Sequence, residues 1–427
     1  MGIGRRSYLA RLGVLVGGAV GSASAGCVGI DSERPPSVTT VVEDWRRTFS
    51  PSRYEGHDGI GRLAATDDGS LAVAGLTRTR DDEGHVRHVP WIRGFDSEGR
   101  SQWEYYVPST TAGSNADETG ETAPSQLPFG LSTYDGDFVV GIATVGPEGR
   151  VTDPTLVRLG PDGSERWTNT FAAANVGQFA IASREGGGSR IIVPSTEPRG
   201  DDRVSLNTVG LADPSTRRVV LDTELLGSVH LLQSAGPERL ALLGAAAGER
   251  ESLVRADVRP EGRVVRELTI GSDLETANPK PVLSEDGSVV AINSTTPTFT
   301  AWADVVTLTD GSIVHHLDFR GWEVVDITQS DPFAPPGGFL LTMRNAGENE
   351  GEPPGALFVA VDGDGEVRWH YDGLGQDTAI GPGIGDAVVV GEHLFVGGTA
   401  PEGDDSDRRG RLVRYSPGPG QTTTESD

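Results

Sequence analysis

The chain is short of several things that most proteins of its size use freely. It has one cysteine, Cys27, in 427 residues, so no disulfide can form within the chain. Lys280 is its single lysine, although Lys and Arg together number 36. Aromatic residues make up only 6%. No apolar run reaches the ~20 residues that a spanning helix needs. The nearest, Ala10 to Ala25, is short, rich in Gly and Ala, and interrupted by Arg11. Positive charge is also outnumbered, since 62 acidic residues leave a formal net charge of -26. That balance excludes a nucleic-acid surface, which requires clustered Lys and Arg. It equally excludes a polybasic membrane patch.

What is present is acid, arginine and glycine, with 59 glycines in all. High acidity with almost no lysine resembles the proteins of extremely halophilic archaea. Surface carboxylates hold water and ions where water activity is low. At 1 M salt the Debye length is only ~3 Å, so their mutual repulsion is screened. An acidic protein of a GC-rich genome is the alternative reading.

The N-terminus reads as an address. Residues 1–26 have a charged start, a short apolar stretch and small residues before Cys27, the three parts of an export signal. Arg5-Arg6 followed by Ser7, Tyr8 and Leu9 resembles the twin-arginine export motif, and Ser24-Ala25-Gly26-Cys27 resembles a lipobox, whose cysteine receives lipid. The expectation is export, lipidation at Cys27, and anchoring to the outer face of the cytoplasmic membrane. An ordinary basic segment at Arg5-Arg6 and a stray thiol at Cys27 are the alternatives. Residues 27–40, with Pro35-Pro36, read as the lipidated cysteine and a polar tether.

From residue 41 the chain repeats itself. A Gly-containing turn precedes an apolar run, a polar loop and a second apolar run follow, and a second turn precedes an alternating strand. The first turns fall at Gly69, Gly136, Gly187, Pro237, Gly287, Gly338 and Gly385. The second turns fall near Gly99, Gly163, Thr216, Gly262, Gly311, Gly365 and Gly418. Both series have a period of about 50 residues, the size of a propeller blade of three or four short strands. The last copy lacks a fourth strand, and Glu43 to Phe49 supplies one, since Trp45 matches Trp103, Trp167 and Trp369 in their copies. The expected fold class is therefore all-β: a seven-bladed β-propeller of four-stranded blades over 41–418, closed by an N-terminal strand, after a cleavable signal segment. A polar tail, 419–427, follows. Two packed sandwiches or an open array are the alternatives.

Phe358 to Trp369, Leu156 to Trp167 and Ile92 to Trp103 share an apolar strand, a Gly turn and a Trp four residues after the Gly. This resembles the repeat of the quinoprotein-like propellers, a PQQ-like relative of WD40/YVTN-type repeats. The resemblance implies fold more than activity. Some members of that superfamily bind pyrroloquinoline quinone and oxidise alcohols or sugars. Others are binding scaffolds, including an envelope lipoprotein that helps assemble outer-membrane proteins. The quinone alcohol dehydrogenases carry a vicinal cysteine pair, which this chain lacks. No catalytic residues and no cofactor are assigned, with PQQ or Ca2+ left as open alternatives.

Four polar groupings are candidate sites. His85 and His88 lie in an acidic loop and could serve a metal such as Zn, although such loops are acidic throughout this chain. Asp362, Asp364 and Glu366 resemble part of a calcium loop, but Asp-Gly is also what a tight turn wants. His315 and His316 alternate on a predicted strand and so face opposite ways. Glu402 to Asp407 reads as a solvated loop. No phosphate loop, nucleophile elbow or zinc motif is present. The expected function is a monomeric surface scaffold that binds a protein, glycan or small molecule. A redox or hydrolytic propeller enzyme is the alternative.

Overall fold

The computed structural model describes residues 41–50, 57–80, 86–107, 125–145, 151–184, 187–196, 203–229, 231–234, 239–246, 253–270, 280–284, 287–295, 301–309, 312–320, 322–329, 332–345, 356–372, 383–402 and 405–418. Arg5, Arg6, Tyr8, Leu9 and Cys27 lie outside them. Among the described residues no helix is long and apolar enough to cross a membrane.

Among the described residues the strands pair into seven four-stranded antiparallel sheets. We number the blades along the chain: blade 1 runs from His57 to Tyr106, blade 2 from Ser125 to Thr170, blade 3 from Ala180 to Val220, blade 4 from Leu231 to Ile270, blade 5 from Lys280 to Arg320 and blade 6 from Trp322 to Asp372. Blade 7 takes three strands from Gly383 to Pro417 and its outermost strand, Val41–Phe49, from the start of the body. That strand pairs antiparallel with Asp405–Pro417, with Trp45 opposite Arg414.

Burial explains the strand sequences. The second strand of each blade is covered on both faces by neighbouring blades, so it reads as a continuous apolar run rather than an alternating one. In blade 1, Leu71, Ala72, Val73 and Ala74 are all fully buried. The outer strands have one open face and alternate accordingly: in Glu165–Thr170 only Trp167 and Asn169 are partly covered.

Among the described residues seven hydrophobic clusters join the blades in sequence. Ala72, Ile92, Phe138 and Val157 join blades 1 and 2; further clusters join 2 to 3, 3 to 4, 4 to 5 and 5 to 6. Phe358, Trp369, Leu394 and Tyr415 join blade 6 to blade 7. Trp45, Phe395 and Leu412 then meet Leu71 and Trp91, joining blade 7 to blade 1. The clusters thus close a ring, a β-propeller, and blade 7 holds both ends of the body. Pairing Val41–Phe49 into blade 7 covers a strand edge that would otherwise stand open at the junction.

The repeated tryptophans have a defined role between blades. The Trp45 ring lies against Gly99, in the turn between the third and fourth strands of blade 1. Trp103 lies in the same way on Gly163 of blade 2, and its Nε1 donates to the Pro161 carbonyl at 2.8 Å. Both glycines have positive φ, 71° and 76°, and an added Cβ would come within 2.6 Å of the ring in each case. Glycine is therefore required twice over, by the turn and by the ring it carries. Where Trp is missing, Val219 covers Gly262 and His315 covers Gly365.

One turn is placed differently from the sequence expectation. Gly385 is not the first turn of the last copy. It lies inside the strand Gly383–Val390, and the turn is Gly391-Glu392. A Cβ on Gly385 would collide with the Ile60 carbonyl of blade 1, so this glycine serves a close approach of two backbones. The second turn of blade 3, expected near Thr216, is a bend over 211–213 just before the strand Thr216–Val220.

Candidate functional site

The inner strands of all seven blades line a central cavity of about 940 Å³. Its wall is uneven in charge. Among the described residues the charged residues that line it are Arg62, Glu323, Asp326, Arg344 and Asp386, all from blades 1, 6 and 7. The opposite wall offers neutral polar groups, among them Ser132, Thr133, Gln233 and Ser234.

A recurring bulge places three of these charges. In the inner strand of blade 1 the pairing slips between Ile60 and Arg62, leaving Gly61 as an extra residue. In blade 7 it slips between Ile384 and Asp386, around Gly385, and in blade 6 between Val324 and Asp326, around Val325. A bulge bends its strand and re-aims the side chain that follows. Arg62, Asp326 and Asp386 therefore hold equivalent positions in three consecutive blades.

Asp386 also fastens the junction between blades 7 and 1. Its Oδ2 accepts the Leu63 amide of blade 1 at 2.8 Å, and its Oδ1 accepts the Ala387 amide at 3.1 Å. The residue is packed about by protein, yet part of its surface stays open to the channel. Burial pushes its carboxyl up to about 6, against the opposing pull of the Arg62 charge and the two amides. Arg62 uses little of its own capacity. Its Nη1 donates to the Gly61 carbonyl at 3.1 Å, while its buried Nε has no partner among the described residues. A guanidinium carries five donors.

Blade 6 is arranged differently. Arg344 Nε donates to Glu323 Oε2 at 2.6 Å across paired strands, so these two charges neutralise each other. Asn293 of blade 5 clamps the Val324 backbone, donating to its carbonyl at 2.6 Å and accepting its amide at 2.7 Å.

Of the groupings chosen from sequence, the side chains that are described, His88, Asp362, Asp364, Glu366 and His315, are not among the residues that line this cavity. His88 lies on the strand Val86–Phe95 opposite Arg78, and His85 is outside the described residues. Asp362 is occupied by its own turn: Oδ1 accepts the amides of Asp364 at 3.0 Å and Glu366 at 2.9 Å, and Oδ2 accepts from Arg368. Burial pushes its pKa up, but these donors outweigh it and hold the carboxylate below the ordinary value. Asp362 thus holds a turn. His315 covers Gly365, and the His316 side chain is outside the described residues. Among the described residues no three His, Cys, Asp or Glu side chains gather as a metal set.

Arg62 and Asp386 were not singled out by sequence, although a signal exists. Gly59-Ile-Gly-Arg62-Leu63 and Gly383-Ile-Gly-Asp386-Ala387 are the same five-residue pattern. It differs chiefly in the sign of its charge.

No protein-family model matches the chain, and no curated protein matches it in sequence. Among solved structures, the chain is similar to a protein of unknown function from Dyadobacter fermentans, with 10% identity, 89% of this chain and 100% of that one covered, and a TM-score of 0.46. It is similar to the β-propeller domain of the Trilobed protease from Pyrococcus furiosus, with 12% identity, 66% and 82% covered, and a TM-score of 0.42. It is also similar to the WD40 domain of SCAP from fission yeast, with 9% identity, 88% of each chain covered, and a TM-score of 0.42.

Proposed function

We propose that this chain is a binding scaffold, a propeller held on the outer face of the cytoplasmic membrane by lipid on Cys27, with the channel as its ligand site. The observation that carries the binding reading is the channel wall. Arg62 and Asp386, whose side-chain bonds leave hydrogen-bonding capacity over, line a cavity large enough for a small molecule or the tip of a larger partner, the usual form of a ligand pocket. The anchoring part rests on the first 27 residues, and the halophilic setting rests on composition. The PQQ-like repeat stands as a resemblance of the strand-turn-Trp segments.

The binding reading is tested by capture. The purified protein and a double variant, Arg62→Gln with Asp386→Asn, are each exposed to an extract of extracytoplasmic proteins, glycans and metabolites. Material retained by the first and lost by the second is the expected result. Equal retention by both would remove the channel from the account. Anchoring is tested by Cys27→Ser, which should move the protein out of the membrane fraction. Replacing Arg5 and Arg6 by Lys should hold the precursor inside.

A second reading, a redox or hydrolytic enzyme, is favoured by one observation. A carboxyl that lines a cavity and is pushed up to about 6 by burial is suited to general acid-base work. Chemical conversion of the captured material, abolished by Asp386→Asn, would decide for it.

A further inference from the structure

Arg62 and Asp386 are neighbours of opposite charge that do not neutralise each other directly. They are brought together by the closing of the ring, since Asp386 accepts the amide of Leu63, the residue next to Arg62. Their side-chain bonds go to backbone: Arg62 to the Gly61 carbonyl, Asp386 to the amides of Leu63 and Ala387. Charge, not a hydrogen bond between side chains, links them. The guanidinium keeps donors in hand, since Nη1 alone has a bond among the described residues and the ligand-facing donors are those other than the buried Nε. The carboxylate keeps further lone-pair sites, since it has about four and two are in use. Both line the cavity.

Such an arrangement suits a ligand that carries both charges itself. A carboxylate laid on the guanidinium gains charge-assisted, often bidentate hydrogen bonds. An ammonium beside the Asp386 carboxylate gains the complementary bond. A ligand with only one charge would satisfy one side and leave the other partly desolvated, which costs binding. The other charges on the wall do not compete equally, since Glu323 and Arg344 are paired to each other. Asp326, at the equivalent place in blade 6, is a further carboxylate that lines the cavity.

Resting on the channel reading, we infer that the junction between blades 7 and 1 is a subsite for a small zwitterion of the α-amino-acid type, with its carboxylate on Arg62 and its ammonium on Asp386. The gap between the blades is narrow there, where Gly385 meets the Ile60 carbonyl. A short ligand that reaches both groups from the channel side is therefore favoured over a bulky one.

The test is calorimetry and thermal melting of the full exported chain with four probes: glycine, acetate, methylammonium and glycerol. Glycine is expected to bind saturably and raise the melting temperature by mass action, with acetate and methylammonium each about tenfold weaker or worse. Arg62→Gln and Asp386→Asn should each weaken glycine binding about tenfold. Arg62→Lys keeps the charge and the fold but loses the planar fork, so it should weaken binding by less. Equal binding of glycine and acetate, or glycine binding unchanged in both Arg62→Gln and Asp386→Asn, would overturn the zwitterion subsite. Failure of all four probes, while capture still depends on the same two residues, would overturn the subsite and leave the channel reading standing.

Discussion

Blades 6, 7, 1 and 2 differ from blades 3, 4 and 5. The first group carries an outer-strand tryptophan in every blade: Trp369, Trp45, Trp103 and Trp167. Each of its inner strands also bulges at mid-length, at Val325, Gly385, Gly61 and Phe129. The second group has no outer-strand tryptophan. Its inner strands in blades 4 and 5 pair without a slip, and the slip in blade 3 falls at the end of the strand, at Ala182 to Arg184. Among the described residues the charged channel residues belong to the first group alone. Outer wedge and inner bulge are separate devices at opposite edges of a blade, yet they occur together. A firmly wedged blade can hold a bent inner strand and a partly buried charge. The plainer blades build wall.

The largest effect that would test this contrast is expected at Gly385. Its backbone meets the Ile60 carbonyl, so Gly385→Ala should force the junction of blades 7 and 1 apart and cost about 3 kcal/mol or more in a denaturant titration. In the plainer arc, Gly188 has nothing within 4 Å of an added Cβ, and Gly188→Ala should be near neutral. Equal losses at the two sites would remove the distinction between a packed junction and plain wall.

The wedges give the next contrast. Trp103→Ala uncovers Gly163 and removes the bond to Pro161, with an expected loss of about 3 kcal/mol. Val219→Ala, at the corresponding contact on Gly262, should cost about 1 kcal/mol. If the valine proved as costly as the tryptophan, the wedge would not set the two arcs apart.

The smallest effect is electrostatic. A carboxyl whose folded pKa lies above its unfolded value binds its proton more tightly when folded. The stability it contributes is present below the unfolded value of 3.8 and is lost as pH rises to about 6. Asp386→Asn should abolish that fall. Its stability relative to the parent should rise by about 2 kcal/mol across this window, on the scale of 1.4 kcal/mol per pKa unit. The difference between parent and variant isolates Asp386 from the other carboxylates. A difference that does not vary with pH would show that the group titrates normally.

Much of the ring is legible in the sequence because its local signals repeat. Asp-Gly turns, apolar second strands and the Trp after the second turn recur at a steady spacing. They mark Trp45 as the outer strand of a blade that ends near Tyr415. The misplaced turn at Gly385 shows where local reading fails. Gly385 and Gly391 are both glycines beside apolar runs. Only the approach of Ile60, more than three hundred positions earlier in the chain, tells which one turns. The charged arc was hidden for the same reason. Asp386 and Arg62 become a pair through ring closure, and neither stands in a motif with chemistry of its own. The acidic grouping at Asp362 is a turn, its carboxylate engaged by its own backbone.

The central claim is that closing the ring assembles the site, with Asp386 of blade 7 bonded to the Leu63 amide of blade 1. The measurement that addresses it is the Leu63 amide proton shift followed across pH. It should lie downfield, move through a single inflection near 6 as Asp386 titrates, and lose that inflection in Asp386→Asn. A flat profile in the parent protein, with Leu63 exchanging as fast as an exposed amide, would contradict it.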